Sequence, residues 1–197
     1  MKGWVIIVCG VAAVGKTVFS LKIAEKLGVE FIDLPNLIKE MKLYEYYDEA
    51  SGEYVVDFRK VSSKLGSILK GRKTIIASIH PFKPRSIPVR LVVVLRLRPD
   101  ILMRRLIERG YPEWKIAENM LAEMVDKPFY DTIRKFSRRK VIQIDVSNKN
   151  MDELVEEFYS VYVSSNLKSL NAKVDWINEL EKVNTYSEIL QFLAKYG

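Results

Sequence analysis

The feature that most constrains this chain is a glycine-rich segment between an apolar run and an amphipathic one. The run Gly3–Cys9 is continuously apolar and β-branched, which is typical of a strand buried on both faces of a parallel sheet. Apolar residues then recur at helical spacing through Lys16–Leu27. The segment that joins the two, Gly10–Thr17, reads GVAAVGKT and fits the pattern G-x-x-x-x-G-K-[ST]. Strand, loop and helix together predict a phosphate-binding loop.

Each residue type in this loop has a chemical reason. Gly10 and Gly15 let the backbone wrap closely, so that successive N–H groups point at phosphate oxygens. The helix that begins near Lys16 adds the positive end of its dipole. We expect Lys16 to bridge the β- and γ-phosphates of ATP as a catalytic residue, and Thr17 to offer its hydroxyl to Mg²⁺. A glycine turn that binds nothing is the alternative, and it leaves Lys16 unexplained.

Strand-like runs alternate with helical patterns along the rest of the chain. The predicted strands are 29–34, 73–80, 89–97 and 140–146, and the predicted helices are 37–43, 58–69, 100–109, 113–136 and 151–164. The segment 113–136 is one long or broken helix, with Pro128 as the break, and Tyr54–Val56 is an arm of a small hairpin. This alternation predicts a doubly wound α/β domain with a five-stranded, mostly parallel sheet covered on both faces.

The composition changes after Ser164, where a polar stretch precedes two short amphipathic segments. We predict that residues 165–197 form a helical extension to the domain of residues 1–164. A helical hairpin of this kind would pack on the domain itself or on a partner, and packing on the domain is favoured. The two apolar stripes are Trp176, Ile177, Leu180 and Val183, followed by Ile189, Leu190, Leu193 and Tyr196.

Composition excludes several classes of protein. Of the 197 residues, 48% are hydrophobic and 29% charged, which excludes a disordered or collagen-like chain. A single cysteine, Cys9, cannot form an internal disulfide. No apolar run reaches the roughly 18 residues that a membrane span needs, and no signal-peptide cleavage pattern follows the N-terminal run. We therefore expect a cytoplasmic protein that has no membrane partner.

Positive charge is concentrated in the middle of the chain. The net charge is +7, and the stretch Arg59–Arg105 holds 13 Lys and Arg against one acid, Asp100. Such a field favours polyanions, namely nucleotide phosphates and RNA. A merely solubilising surface is the alternative.

Several further segments resemble one family of small nucleotide kinases, which add an acceptor-binding insertion after strand two and a lid before the last strand. The matching pieces are Gly10–Thr17, Leu43-Tyr44 with Tyr47-Asp48-Glu49, the strand ending in His80, Leu95-Arg96, 104–111 (RRLIERGY), Glu118-Asn119 with Glu123, and Ser147-Asn148-Lys149. Over residues 1–164 the chain resembles the archaeal "putative adenylate kinase" family. The eukaryotic relative of that family, adenylate kinase isoenzyme six, is a nuclear factor in small ribosomal subunit maturation.

The resemblance implies a three-layer P-loop NTPase fold of the nucleotide-kinase type. It places the acceptor nucleotide near residues 33–56 and a short lid near 108–118. Arg109 is then a catalytic residue that contacts the ATP phosphates, and Lys149 lies beside the adenine. A solvated arginine at a helix end and an ordinary loop lysine are the alternatives for these two residues.

The chain departs from the family pattern around the phosphates. Ala13 stands where the family usually has glycine, and its methyl group is expected to crowd the phosphates. Val18 stands where the family commonly has a hydroxyl residue. Lys39 stands where many relatives have an arginine that binds the acceptor phosphate. Lysine keeps the positive charge but cannot make the bidentate contact of an arginine.

The largest departure lies at the end of the third predicted strand. The family carries Asp-x-His there, and its Asp helps to hold the water shell of Mg²⁺, whereas this chain has Ser78-Ile79-His80. We therefore expect weaker metal support and slower turnover, with Asp33 as a substitute ligand for the metal or for the acceptor. His80, the only histidine, is predicted to be catalytic by positioning a water or an acceptor phosphate. A buried, hydrogen-bonded histidine is the alternative.

Two functions fit these residues. The first is a broad-specificity nucleoside monophosphate kinase that acts on AMP first, with ATPase activity and a role in small-subunit maturation. The second is an ATP-hydrolysing assembly factor with little kinase activity, which binds pre-ribosomal RNA and a ribosomal protein, the latter through an acidic face at Glu45–Glu53. A kinase of another small molecule, such as shikimate, is disfavoured by Arg109-Gly110-Tyr111.

Overall fold

The apolar run that opens the chain forms the central strand of a parallel sheet. A computed structural model describes residues 3–197, and in it β1 (Trp4–Cys9) is buried along its whole length. It lies between β5 (Lys73–Ala77) and β6 (Val89–Arg96), with β2 (Glu30–Asp33) and β7 (Val141–Asp145) at the two edges. All four strand pairs are parallel. The prediction of a five-stranded parallel sheet is confirmed.

Helices cover both faces of this sheet and complete three layers. They are α1 (Lys16–Leu27), α2 (Leu34–Glu40), α3 (Phe58–Ile68), α4 (Pro99–Glu108), α5 (Glu113–Met124), α6 (Lys127–Lys135) and α7 (Met151–Val163). One core contains Phe19, Leu106 and Phe158, and the other contains Leu34 and Val61. Within the part of the chain that the structure describes, no helix is both long enough and apolar enough to cross a bilayer.

Two predicted boundaries around the second strand are wrong. The strand ends at Asp33, and α2 begins at Leu34 rather than at Leu37. The Oδ1 atom of Asp33 accepts a hydrogen bond from the amide of Asn36 at 3.2 Å, and Pro35 occupies the first turn. A carboxylate at the N-cap followed by proline is a strong start signal for a helix.

The third predicted strand is also shorter than expected. It ends at Ala77, so Ser78 and His80 lie in the loop that follows rather than in the strand. The hydroxyl of Ser78 donates to the carbonyl of His80 at 2.7 Å, which bends the chain away from the sheet.

The predicted helix 113–136 is broken, but not at Pro128. Asp126 adopts a φ of 56° between α5 and α6, and Pro128 falls in the first turn of α6. Proline is tolerated there because the first amides of a helix have no intrahelical acceptor. The predicted hairpin is present, as β3 (Tyr46–Asp48) paired with β4 (Glu53–Val55).

The C-terminal segment packs on the rest of the described chain. It contains a 3₁₀ helix at Leu167–Leu170, α8 (Trp176–Lys182) and α9 (Tyr186–Tyr196). Leu180 and Ile189 belong to the same core as Phe19. The backbone of Ala172 exchanges hydrogen bonds with Gln143 of β7, at 2.8 Å to its carbonyl and 2.9 Å from its side-chain amide.

Candidate active site

The phosphate loop uses backbone conformations that favour glycine at both ends. Gly10 has a φ of 143° and Gly15 one of 104°, which side chains rarely adopt. A Cβ atom on Gly10 would also lie 2.5 Å from the carbonyl oxygen of Leu95. Gly15 is the N-cap of α1, so an anion held in the loop faces the positive end of the helix dipole.

Ala13 occupies a strained position in the middle of the loop. Its φ is 59°, in the left-handed region, which costs a residue with a Cβ atom about 1–2 kcal/mol. The guanidinium of Arg105 on α4 donates to its carbonyl at 3.3 Å. Glycine is therefore expected at this position for two reasons: it adopts the left-handed conformation without strain, and it leaves more room for phosphate.

Lys16 lies against its own loop. Its ammonium donates to the carbonyl of Val11 at 2.6 Å. The pKa of Lys16 is lowered to about 8, mainly by desolvation and also by the nearby charge of Arg109, while Cys9, Asp33 and Glu123 act in the opposite direction. A phosphate beside this ammonium would supply the negative charge that its surroundings lack.

The hydroxyl of Thr17 and the carboxylate of Asp33 form the oxygen-rich corner of the site. Thr17 Oγ1 donates to Asp33 Oδ2 at 3.0 Å. Among residues 3–197, no group of three or more His, Cys, Asp or Glu side chains is arranged to hold a metal ion. Mg²⁺ in phosphoryl-transfer sites binds through one or two protein oxygens together with phosphates and water. Thr17 and Asp33 fit that requirement and are the residues that would hold it.

The loop after β5 brings a histidine to the same edge of the sheet. Ser78 is buried, with 2% of its surface exposed, and its hydroxyl is used by the His80 carbonyl. His80 is exposed, and its ring meets that of Phe58 edge-on at 6.2 Å. Desolvation lowers the pKa of His80, so the imidazole is neutral at pH 7. The alternative of a buried strand-end histidine is wrong.

A cavity of about 1120 Å³ connects the loop with the acceptor region and the lid. Its lining includes Gly10, Lys39, Tyr54, His80, Arg109 and Asn119. The predicted acceptor region 33–56 and the predicted lid 108–118 therefore contribute to one and the same space.

The rings of Tyr47 and Tyr54 line the hairpin side of this cavity. Tyr54 lies 4.5 Å from Tyr44 and 5.0 Å from Tyr47, measured between ring centroids. The ammonium of Lys39 lies over the Tyr54 ring at 5.3 Å. One cation and an aromatic cluster are thus available to a ligand that carries both a phosphate and a flat base.

The sequence of this chain, including its phosphate loop, matches those of known proteins. A family model described as "AAA domain" matches residues 6–126. A "Putative adenylate kinase" of Pyrococcus abyssi is 34% identical over 192 residues, which cover 98% of this chain and 98% of the relative. One of Methanocaldococcus jannaschii with the same description is 33% identical over 171 residues, covering 87% and 92%. The chain belongs to this archaeal adenylate kinase-like family.

Solved structures of other kinases share the architecture of this adenylate kinase-like chain. A gluconokinase from Sinorhizobium meliloti superposes with a TM-score of 0.54 at 17% identity, over 86% of this chain and 98% of that one. A shikimate kinase from Bacteroides thetaiotaomicron gives 0.55 at 18% identity, over 81% and 98%. The predicted P-loop kinase fold is confirmed.

Six predicted site residues of this adenylate kinase-like chain are not among the described residues that line the cavity: Ala13, Gly15, Lys16 and Thr17 of the phosphate loop, which continue from its lining residues Gly10–Ala12, together with Val18 and Lys149. Lys149 is exposed, and its ammonium pairs with the carboxylate of Glu157 on α7 at 2.7 Å. Val18 is 48% exposed on α1. The place of Lys149 beside adenine stays a prediction.

Two residues join the parts of the adenylate kinase-like site: Lys115, which sequence reasoning missed, and Asn119, which it listed among the family-like segments without giving it a role. Lys115 on α5 pairs with Glu53 of the hairpin at 2.6 Å and donates to the carbonyl of Ser51 at 3.0 Å, so the lid side touches the acceptor side. Asn119, one turn further along α5, accepts from the amide of Ala12 at 3.1 Å. Their four-residue spacing was the available signal, since it places both on one helix face.

Proposed function

We propose that this chain is a broad-specificity nucleoside monophosphate kinase that transfers the γ-phosphate of ATP to AMP or a similar acceptor. The size and lining of the cavity carry this proposal. Its volume of about 1120 Å³ lies near the upper end of the roughly 300–1,000 Å³ that is usual for small-molecule sites. It is lined by the phosphate loop at one end and by a separate lysine and tyrosine cluster at the other. A second end beside the phosphate loop is what a kinase requires for its acceptor, and hydrolysis of ATP alone does not require it.

The work of the protein in such a transfer is positioning and charge stabilisation. Lys16 and the loop amides hold the β- and γ-phosphates. Arg109 is exposed at the end of α4, next to Gly110, whose φ of 70° marks a turn. From there its guanidinium can approach the transferring group. When bound, Mg²⁺ supplies further neutralisation of phosphate charge at Thr17 and Asp33.

The acceptor is held by the other end of the cavity. Lys39 provides the cation for its phosphate, and the tyrosine cluster provides a surface for its base. His80, neutral at pH 7, positions a water or an acceptor phosphate through its ring N–H. A lysine makes a point-charge contact rather than a planar fork, and stacking does not read base edges. Both features favour broad specificity.

A mass balance tests this proposal. Kinase activity converts one AMP and one ATP into two ADP, whereas hydrolysis gives one ADP and one phosphate per ATP. Chromatography of nucleotides with each of AMP, CMP, UMP and GMP should show acceptor loss equal to ATP loss. Phosphate release that accounts for all ATP consumed, with every acceptor intact, contradicts the proposal.

The surface charge favours a second function, ATP hydrolysis coupled to small ribosomal subunit maturation. The last turn of α6 and the segment after it expose five bases: Arg134, Lys135, Arg138, Arg139 and Lys140. Lys83 lies over the Phe136 ring within this segment at 5.4 Å and belongs to the basic middle stretch. In that stretch Arg96 is buried and Arg98 is paired with Asp100, so these two do not contribute. Such a surface fits pre-ribosomal RNA, while the acidic hairpin fits a basic tail of a ribosomal protein.

Salt dependence tests the RNA partner. Each phosphate contact to a single strand contributes about 0.7 to the slope of log affinity against log salt. The pair Arg138→Glu and Arg139→Glu should therefore weaken binding of a single-stranded RNA and reduce that slope by about 1.4. The matched pair Lys173→Glu and Lys195→Glu, on the C-terminal segment, is the control. Equal slopes for both pairs contradict an RNA surface at this place.

A further inference from the structure

Helix α5 makes two buried or half-buried polar contacts that are one helical turn apart. Asn119 accepts from the amide of Ala12 in the phosphate loop at 3.1 Å. Glu123 accepts from Arg96 Nε at 2.6 Å and from the amide of Leu97 at 3.3 Å. Residues four apart lie on the same face of a helix. The position of α5 along its axis therefore sets both contacts at once.

Glu123 depends on few donors. The side chains of Glu123 and Arg96 are both fully buried, and all three donors to the carboxylate reach the same oxygen, Oε1. The other oxygen, Oε2, has no hydrogen-bond partner among the described residues. A buried carboxylate that loses a donor is left with an uncompensated desolvation cost.

The third donor comes from the C-terminal segment. Trp176, the first residue of α8, is 4% exposed, and its Nε1 donates to Glu123 Oε1 at 3.0 Å. Its ring also faces the guanidinium of Arg96 at 5.7 Å. The neighbouring helix α9 packs against α5. The segment after the kinase domain thus reaches the buried ion pair at the base of α5.

We propose that Trp176 is a positioning residue for nucleotide binding: it holds Glu123, and Glu123 holds α5 where Asn119 can fix the phosphate loop at Ala12. The inference rests on the proposed function, because it concerns the ATP end of the same cavity. It gives the C-terminal segment a role in nucleotide binding, in addition to the apolar contacts by which that segment packs on the domain.

The test removes the indole N–H while it keeps the ring. Trp176→Phe in the full chain should raise the Kd for ATP by about five- to tenfold, less than the full effect of losing one hydrogen bond to a charged group, because only part of that loss reaches the phosphate loop. Ile177→Ala changes the next residue of α8, which is 52% exposed, and should leave the Kd unchanged. Ile189→Val removes buried packing from the same segment, so it should lower Tm and leave the Kd within about twofold.

A double mutant tests the route through α5. If Trp176 acts through Asn119, then Trp176→Phe added to Asn119→Ala should cause no further loss of ATP affinity beyond that of Asn119→Ala. Should Trp176→Phe not fold, replacing the indole by benzothiophene keeps the shape of the ring and removes only the N–H.

The outcomes separate the two proposals. A wild-type chain that binds no ATP overturns the proposed function together with this inference. A wild-type chain that binds ATP, with a Trp176→Phe variant of equal Kd and lower Tm, overturns the inference alone, because Trp176 is then only structural. Additive losses in the double mutant overturn the route through Asn119.

Discussion

Thr17 and Asp33 come from different elements, and yet the hydroxyl of the first donates to the carboxylate of the second at 3.0 Å. The contact joins the first turn of α1 to the end of β2. It puts a negative charge beside the phosphate loop, while the position where the family carries aspartate holds Ser78, whose hydroxyl is occupied by the His80 carbonyl. In this chain the carboxylate that supports the metal is therefore expected to be Asp33.

Removing the Asp33 charge should weaken the use of Mg²⁺. Asp33→Asn keeps the N-cap of α2, because asparagine is an equally good cap, and removes only the charge. The Mg²⁺ concentration for half-maximal turnover should rise about tenfold or more. A magnesium titration of ADP formation measures this. Asp57→Asn, at the N-cap of α3, is the matched control, and equal magnesium curves for both variants would contradict the role of Asp33.

Restoring the missing acid should have the opposite effect. Ser78→Asp returns a carboxylate to the end of β5, so the same titration should shift several-fold towards lower Mg²⁺. Ser78→Asn has a similar size and no charge, and it should not shift. A folded Ser78→Asp protein with an unchanged magnesium requirement would show that this position does not support the metal.

Lys16 should take up protons when ATP binds. Its pKa is about 8 because of desolvation, and phosphate charge raises it, so binding between about pH 8 and 9 is coupled to protonation. ATP affinity should fall as the pH rises above 8. Calorimetry in buffers of different ionisation enthalpy measures the uptake, and Lys16→Met should abolish it. A wild-type uptake of zero across this range would contradict the low pKa.

The lowered pKa of Lys16 should also make the free energy of unfolding of the ligand-free protein depend on pH. The folded pKa of Lys16 lies below the ordinary value of 10.5, so between these two pH values the unfolded chain binds more protons. Stability therefore rises with pH across that window. Comparison of urea denaturation of wild type and Lys16→Met at pH 7.5 and 10 isolates this contribution.

Lys39 should set the affinity for the acceptor and not that for ATP. Lys39→Arg supplies a planar fork for the acceptor phosphate, and the KM for AMP should fall several-fold. Lys39→Met should raise that KM by about tenfold or more, since it removes the charge. Lys42→Met, nearby and exposed, is the control. Equal changes in the KM for ATP would contradict this prediction, because Lys39 would then contact ATP rather than the acceptor.

Ala13→Gly should relieve strain in the phosphate loop. The left-handed conformation costs alanine about 1–2 kcal/mol, and the greater chain entropy of glycine takes back about 0.5–1 kcal/mol. The free energy of unfolding should therefore rise by up to about 1.5 kcal/mol, with ATP bound at least as tightly. Denaturant unfolding measures this, and a loss of stability above 1 kcal/mol would contradict the strain.

The strand, loop and helix from Trp4 to Leu27 could be predicted because one local pattern specifies all three. The end of β5 could not, since the apolar residues continue to Ile79, whereas the strand ends at Ala77 and the Ser78 hydroxyl bonds to the His80 carbonyl. Contacts such as Lys115 with Glu53 and Trp176 with Glu123 join residues 62 and 53 positions apart. No periodicity reports such pairs, because the packing of whole elements creates them.

The most direct measurement is ADP formation from Mg²⁺ and ATP, with and without AMP, with Lys16→Ala as the blank. A phosphate loop and an acceptor end in one cavity predict a rate that rises steeply with AMP and vanishes in the variant. A slow rate that is the same with every monophosphate would contradict the kinase and leave an ATP-hydrolysing assembly factor.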